Sequence, residues 1–112
     1  PLLVPHYAIN AAITQKIGAL AMRSALQARD IFDLYVLSSQ VGEEDLFIKP
    51  ATAALLATAH ERVFKVSFEQ YRDTVVSYLA PEDQRVYATP DIWDEIKLKA
   101  SNFIEELQKR YA

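Results

Sequence analysis

Apolar side chains recur at three- and four-residue intervals along nearly the whole of this chain, and that spacing restricts it to a fold built from helices. Ile9, Ala12, Ile13, Ile17, Leu20 and Ala21 form a stripe that predicts a first helix over 7–24, with Gly18 as its one weak position. Ile31, Leu34, Tyr35 and Leu37 or Ser38 predict a second over 28–39, and so short a connection makes the two helices neighbours. Ala51, Leu55, Leu56, Ala59, Val63 and Phe64 mark a third helix starting just after Pro50. A fourth starts at Ser67, where Gln70 three residues on completes a capping-box pattern, and carries Phe68, Tyr71, Val75, Tyr78 and Leu79 up to the stop at Pro81. Glu82 to Ala88 reads as polar and turn-like, with a helical turn at its start left open. Thr89 as N-cap, Pro90 at the first helical position and Asp91 in the first turn then open a long last helix. Its apolar face is Ile92, Trp93, Ile96, Ala100, Phe103, Ile104, Leu107 and Tyr111, and Lys109 and Arg110 suit its negative end. Pro1 to His6 is expected to be an extended lead-in, and Glu43, Glu44 and Asp45 a solvated loop cluster. The expectation is an all-α, single-domain bundle of about five helices over residues 1–112, and the low glycine content agrees with it.

Composition narrows the classes of function. At 112 residues and 51% hydrophobic, the chain can bury a real core but not two. A net charge of −3 and a pI near 5.3 argue against broad, non-specific nucleic-acid binding, while a local basic patch stays open. The absence of cysteine removes disulfides and thiolate chemistry and fits a cytoplasmic location. No apolar run approaches the roughly 18 residues of a membrane span, and no signal-peptide succession opens the chain. Starting at Pro1 is compatible with loss of an initiator methionine or with a fragment of a longer protein. Two isolated glycines cannot build a phosphate loop. His60-Glu61 lacks the second imidazole of a zinc signature because Phe64 holds that place, so His60 reads as a surface or core-edge residue. Neither His6 nor His60 has an evident Ser or Cys partner, and no Asp-x-Asp pair occurs for two-metal chemistry. Alone, the chain lacks a complete active site and is expected to bind no cofactor.

One stretch is unusual in its polar residues: Lys16 to Leu37, KIGALAMRSALQARDIFDLYVL. Lys16 and Arg23 lie seven apart, on one face of the first helix, and Arg29 and Asp33 lie four apart on a face of the second. Asp30 falls in the first turn of that second helix, where unpaired amides favour a carboxylate. The stretch can therefore converge cations and carboxylates from two successive helices. Equally, Arg29 with Asp33 can be an ordinary helical pair and Lys16 part of a solvated face.

The pattern K-x-x-A-L-x-x-R followed by R-D-I-F-D-L-Y resembles the C-terminal motif of the AbiEii/AbiGii nucleotidyltransferase toxin family, and the later PDIWDEIKLKASNFIEEL is similar to that family's C-terminal end. The resemblance implies an N-terminal nucleotidyltransferase core with a Gly-Ser motif and a metal-binding Asp-x-Asp pair. Neither Gly18 nor Gly42 is followed by serine and no such acidic pair exists, so the chain resembles only the helical C-terminal half, with Pro1 to Pro5 the tail of the missing fold. By that resemblance, Lys16 would point to a nucleoside triphosphate, Asp30 would complete the polar wall of the site, and Arg23, Arg29 and Asp33 would orient it or contact substrate. The complete parent would need Mg2+ and a nucleoside triphosphate, and its partners would include an antitoxin protein and an RNA or protein acceptor. The alternative is a stand-alone helical module for protein interaction or dimerisation, without catalysis.

Overall fold

The structure, a computed structural model, describes residues 6–42 and 46–111. In chain order these form α1 (His6–Met22), α2 (Ala28–Ser38), α3 (Pro50–Ala53), α4 (Leu56–Arg62), α5 (Phe68–Thr74), α6 (Pro81–Tyr87) and α7 (Pro90–Arg110), with 3-10 turns at Val63–Lys65 and Val76–Tyr78. The expected lead-in at Pro1–Pro5 and the acidic cluster at Glu43–Asp45 lie outside the described residues. The all-α, single-core bundle is the fold observed, and no strand occurs among the described residues.

Four helices close a ring around the core. α1 packs on α2, α2 on α7, α7 on α4, and α4 back on α1. Each contributes one apolar stripe: Ile9, Ile13, Ile17 and Leu20 from α1, Ile31 and Leu34 from α2, Leu56 and Ala59 from α4, and Trp93, Ile96, Ala100, Ile104 and Leu107 from α7, all buried. No stripe could be hidden by its own helix, so the ring exists only as an assembly. Phe47 and Ile48 join it by side-chain hydrogen bonds. The Phe47 amide donates to Asn10 Oδ1 at 3.0 Å, and the Tyr111 hydroxyl accepts from the Ile48 amide at 3.2 Å.

α5 and α6 cap one end through aromatic packing. Tyr71, fully buried, stacks on Trp93 with ring centroids 4.2 Å apart, and Phe32 of α2 meets both Tyr71 and Tyr87. The polar ends of these rings are satisfied: Tyr71 donates to the Tyr87 carbonyl at 2.8 Å and Trp93 Nε1 to the Val66 carbonyl at 3.1 Å.

The seven helices exceed the five expected, for two local reasons. The third expected helix breaks at Ala54–Leu55, where Leu55 N donates to Thr52 O three residues back at 2.9 Å and winds the chain more tightly. Thr52, Leu56, Ala59 and Val63 then face the core, while Ala51 and Phe64 of the expected stripe stand exposed. The polar, turn-like segment expected over 82–88 is the helix α6, opened by Pro81 and by Glu82 and Asp83 in its first turn; it has no buried residue, hence no stripe to read. Tyr78, expected on the apolar face of the fourth helix, is exposed in the 3-10 turn, and Val76 is buried instead.

Burial first, then the neighbouring Tyr87 and Tyr35 hydroxyls, hold the Tyr71 phenol above its ordinary range. A phenol raised in the folded state stabilises below its unfolded value and loses that contribution as pH rises above about 10. Tyr71→Phe, which removes the hydrogen bond and keeps the stack, should cost about 1–2 kcal/mol in urea unfolding at pH 8. It should also flatten the fall in stability above about pH 10. A variant as stable as the wild type at pH 8 would show that the bond contributes nothing.

Candidate functional site

The charged residues of α1 and α2 meet at the seam between the two helices. Lys16 lies on α1 and Arg23 two turns further on, immediately after its last residue, while Asp30 and Asp33 lie one turn apart on α2, so that antiparallel neighbours joined by a short connection present them to each other. Lys16 Nζ is 2.9 Å from Asp33 Oδ2 and 3.3 Å from Asp30 Oδ1, thus bridging both carboxylates. Arg23 Nε is 3.4 Å from the other oxygen, Asp30 Oδ2. Arg29, expected beside Asp33, stands on the rim: its Nε is 4.0 Å away and its side chain is mostly exposed, a separation at which an ion pair contributes little. Three cations and two carboxylates leave the cluster with one positive charge.

Asp30 is the centre of the arrangement. The first-turn position read from the sequence is observed, but the side chain is only 2% exposed and not a solvated cap. Taking a carboxylate out of water costs several kcal/mol, here offset by Lys16, by Arg23 and by the amides at the start of α2. The compensation is incomplete. The Arg23 contact lacks hydrogen-bond geometry, and Asp30 Oδ2, though buried, has no hydrogen-bond partner among the described residues. An unbonded buried acceptor costs about 1–3 kcal/mol, so a purely structural role for Asp30 would be poorly served by this placement.

Two side chains, one from α4 of the ring and one from the capping helix α5, reach the connection between the site helices. The Arg62 guanidinium, at the end of α4, donates from Nη1 to the Leu20 and Ala21 carbonyls at 2.9 and 3.0 Å and from Nη2 to the Arg23 carbonyl at 2.6 Å. It caps α1, whose last turn contains no basic residue of its own. Gln70 of α5 donates from Nε2 to the Leu26 carbonyl at 2.7 Å. The expected capping box is therefore only half made: Ser67 accepts from the Gln70 amide at 3.2 Å, while the Gln70 side chain is used elsewhere. No local spacing could reveal either contact, since both span about forty residues.

His60 does have a serine partner, contrary to the reading from sequence. Ser101 Oγ lies 2.9 Å from His60 Nε2, and Glu105 Oε1 lies 3.4 Å from the same nitrogen. A nucleophile with its base needs the carboxylate on the opposite ring nitrogen. With both partners on Nε2 and Ser101 buried, the group ties α4 to α7. Among the described residues no three His, Asp or Glu side chains gather as a metal site, and no helix is long and apolar enough to cross a membrane.

Comparison with protein-family models, with curated proteins and with solved structures returned no match for this chain. The resemblance to the nucleotidyltransferase family thus rests on sequence alone, on the α1–α2 stretch and on the PDIWDEIKLKASNFIEEL segment of α7.

Partial burial works to lower the Lys16 pKa, but its hydrogen bond and attraction to Asp33, with those to Asp30, outweigh that, and the ammonium is held above its ordinary value. A lysine raised in the folded state stabilises fully below about pH 10.5 and loses that contribution as pH rises through the folded value. Asp33→Asn should therefore destabilise by about 0.5–1 kcal/mol at pH 7, the pair being partly solvated. The gap to wild type should narrow above about pH 10.5 in urea unfolding. A gap of constant size across that range would mean that Lys16 is not its source.

Proposed function

We propose that this chain is the helical, substrate-side half of a nucleotidyltransferase of the toxin type, working against a nucleotidyltransferase core that supplies the metal and the remaining catalytic groups. The observation carrying this reading is the convergence of Lys16, Arg23, Asp30 and Asp33 at one seam, with a buried Asp30 oxygen left unbonded. Lysine is a compact point charge suited to a triphosphate, and a seam with one surplus positive charge can accept phosphate oxygens in place of its own carboxylates. In the ground state Asp33 and Asp30 hold the Lys16 ammonium at the seam, and Arg23, about two-fifths exposed, is freer than Lys16 to turn outward. Asp30 then forms the polar wall behind them. Each carboxylate here already faces a cation, a donor set that does not suit Mg2+, so the metal belongs to the core in this proposal. The acceptor is an RNA, the location cytoplasmic, and an antitoxin protein the regulating partner.

A second reading is favoured by one observation. The outer side of α1 exposes Ala11, Gln15 and Met22, and Phe47 beside it is 62% exposed, a mostly uncharged surface of the kind that partner proteins cover. In that reading the chain is a helical interaction or dimerisation module and the ion pairs only latch α1 to α2.

Transfer assays separate the two. In the protein that joins this chain to its core, Lys16→Ala and Asp30→Asn should each lower nucleotide transfer by about a hundredfold or more. For Asp30→Asn the melting temperature should shift by no more than about 8 °C, the equivalent of about 1 kcal/mol, whereas Lys16→Ala, which leaves the buried Asp30 with Arg23 alone, should cost about 3 kcal/mol and still fold. The 112-residue chain alone should transfer nothing. Full activity in both variants, or turnover by the isolated chain, would overturn the assignment, and variants that simply unfold would favour the latch.

A further inference from the structure

The two helices that hold the charged seam are joined by residues 23–27, and that connection is fixed from outside. Such a joint is where the relative placement of α1 and α2 is decided. Its own residues do little to decide it: Arg23 to Ala25 are exposed, Gln27 makes no side-chain cap, and α1 ends without a basic residue. What fixes it comes from α4 and α5. One guanidinium spans three carbonyls at the end of α1, those of Leu20, Ala21 and Arg23, and one carboxamide holds the Leu26 carbonyl just before α2 begins.

We infer that Arg62 and Gln70 are positioning residues for the seam, holding the α1–α2 joint so that Lys16 and Arg23 face Asp30 and Asp33. Arg62 grips the carbonyl of the same residue whose side chain lies against Asp30 Oδ2, so its hold transmits directly to the less well bonded of the two Asp30 contacts. The planar fork matters: a lysine offers a point charge that cannot span carbonyls on both sides of the helix end. Gln70 acts as a donor only, because its amide oxygen has no role in the contact. The functional consequence rests on the proposed nucleotide-transfer reading, whereas the geometric one does not.

The test compares wild type with Arg62→Ala, Arg62→Lys and Gln70→Glu, the last keeping size while removing the donor. Nitrogen-edited NMR of this chain reads solvent exchange of the Arg23 Nε–H and the Lys16 ammonium protons, at temperatures well below each variant's melting point. Exchange should be several-fold faster in Arg62→Ala and Gln70→Glu, with Arg62→Lys in between. Variants that melt lower but exchange as the wild type does would overturn the inference, because a merely structural role moves stability and not the seam. Should Arg62→Ala fail to fold, Arg62→Lys and Gln70→Glu decide by the same criterion. In the core-containing protein, Arg62→Ala should lower kcat by about a hundredfold, the scale of a small misplacement. Loosened exchange with no transfer in any form, wild type included, would sink the nucleotidyltransferase reading and leave the positioning role standing.

Discussion

The burial of Asp30 is the constraint that organises this molecule. A carboxylate cannot sit between two helices unless cations meet it there, and those cations must come from the neighbouring helix at the right height. That requirement fixes the register of α1 against α2, the side of α1 on which Lys16 and Arg23 must stand, and the direction in which the chain turns at residues 23–27. An apolar residue of similar volume would pack in the same place without these demands. A sequence that keeps the charge, and leaves one of its oxygens unbonded, departs from the local consistency seen elsewhere in the bundle, and such departures gather at functional sites.

Much of the fold was legible because its stripes are long. α7 keeps Trp93, Ile96, Ala100, Ile104 and Leu107 inward over about four turns, and its Thr89-Pro90 start is observed with Thr89 accepting the Ile92 amide. α1 and α2 ended close to the expected limits for the same reason. Of α6 no more than a helical turn at its start was legible, because a helix with no buried residue carries no periodic signal, and only Pro81 followed by two acids marked it. The break in the third helix was missed because neither glycine nor proline marks it; the i to i+3 bond that makes it has no residue signature.

The site divides in the same way. Spacing of seven placed Lys16 with Arg23, spacing of four placed Arg29 with Asp33, Asp30 was read in the first turn of α2, and a short connection brought the two helices together. Spacing could not show that Asp30 would be buried, or that Lys16 would bridge both acids while Arg29 remained on the rim. Arg62 and Gln70 were invisible to it altogether, since what they grip is main-chain carbonyl, and every residue type offers one. Ser101 opposite His60 belongs to the same class of long-range contact.

The stacked pair at the capped end has an optical consequence. Trp93 is the only tryptophan in the chain, held face to face with Tyr71, which in turn touches Phe32 on α2, one residue from Asp33. Its indole therefore reports through two rings on how α2 is seated. Emission and near-ultraviolet dichroism from this single native chromophore give a label-free gauge of the helix on which the carboxylates stand.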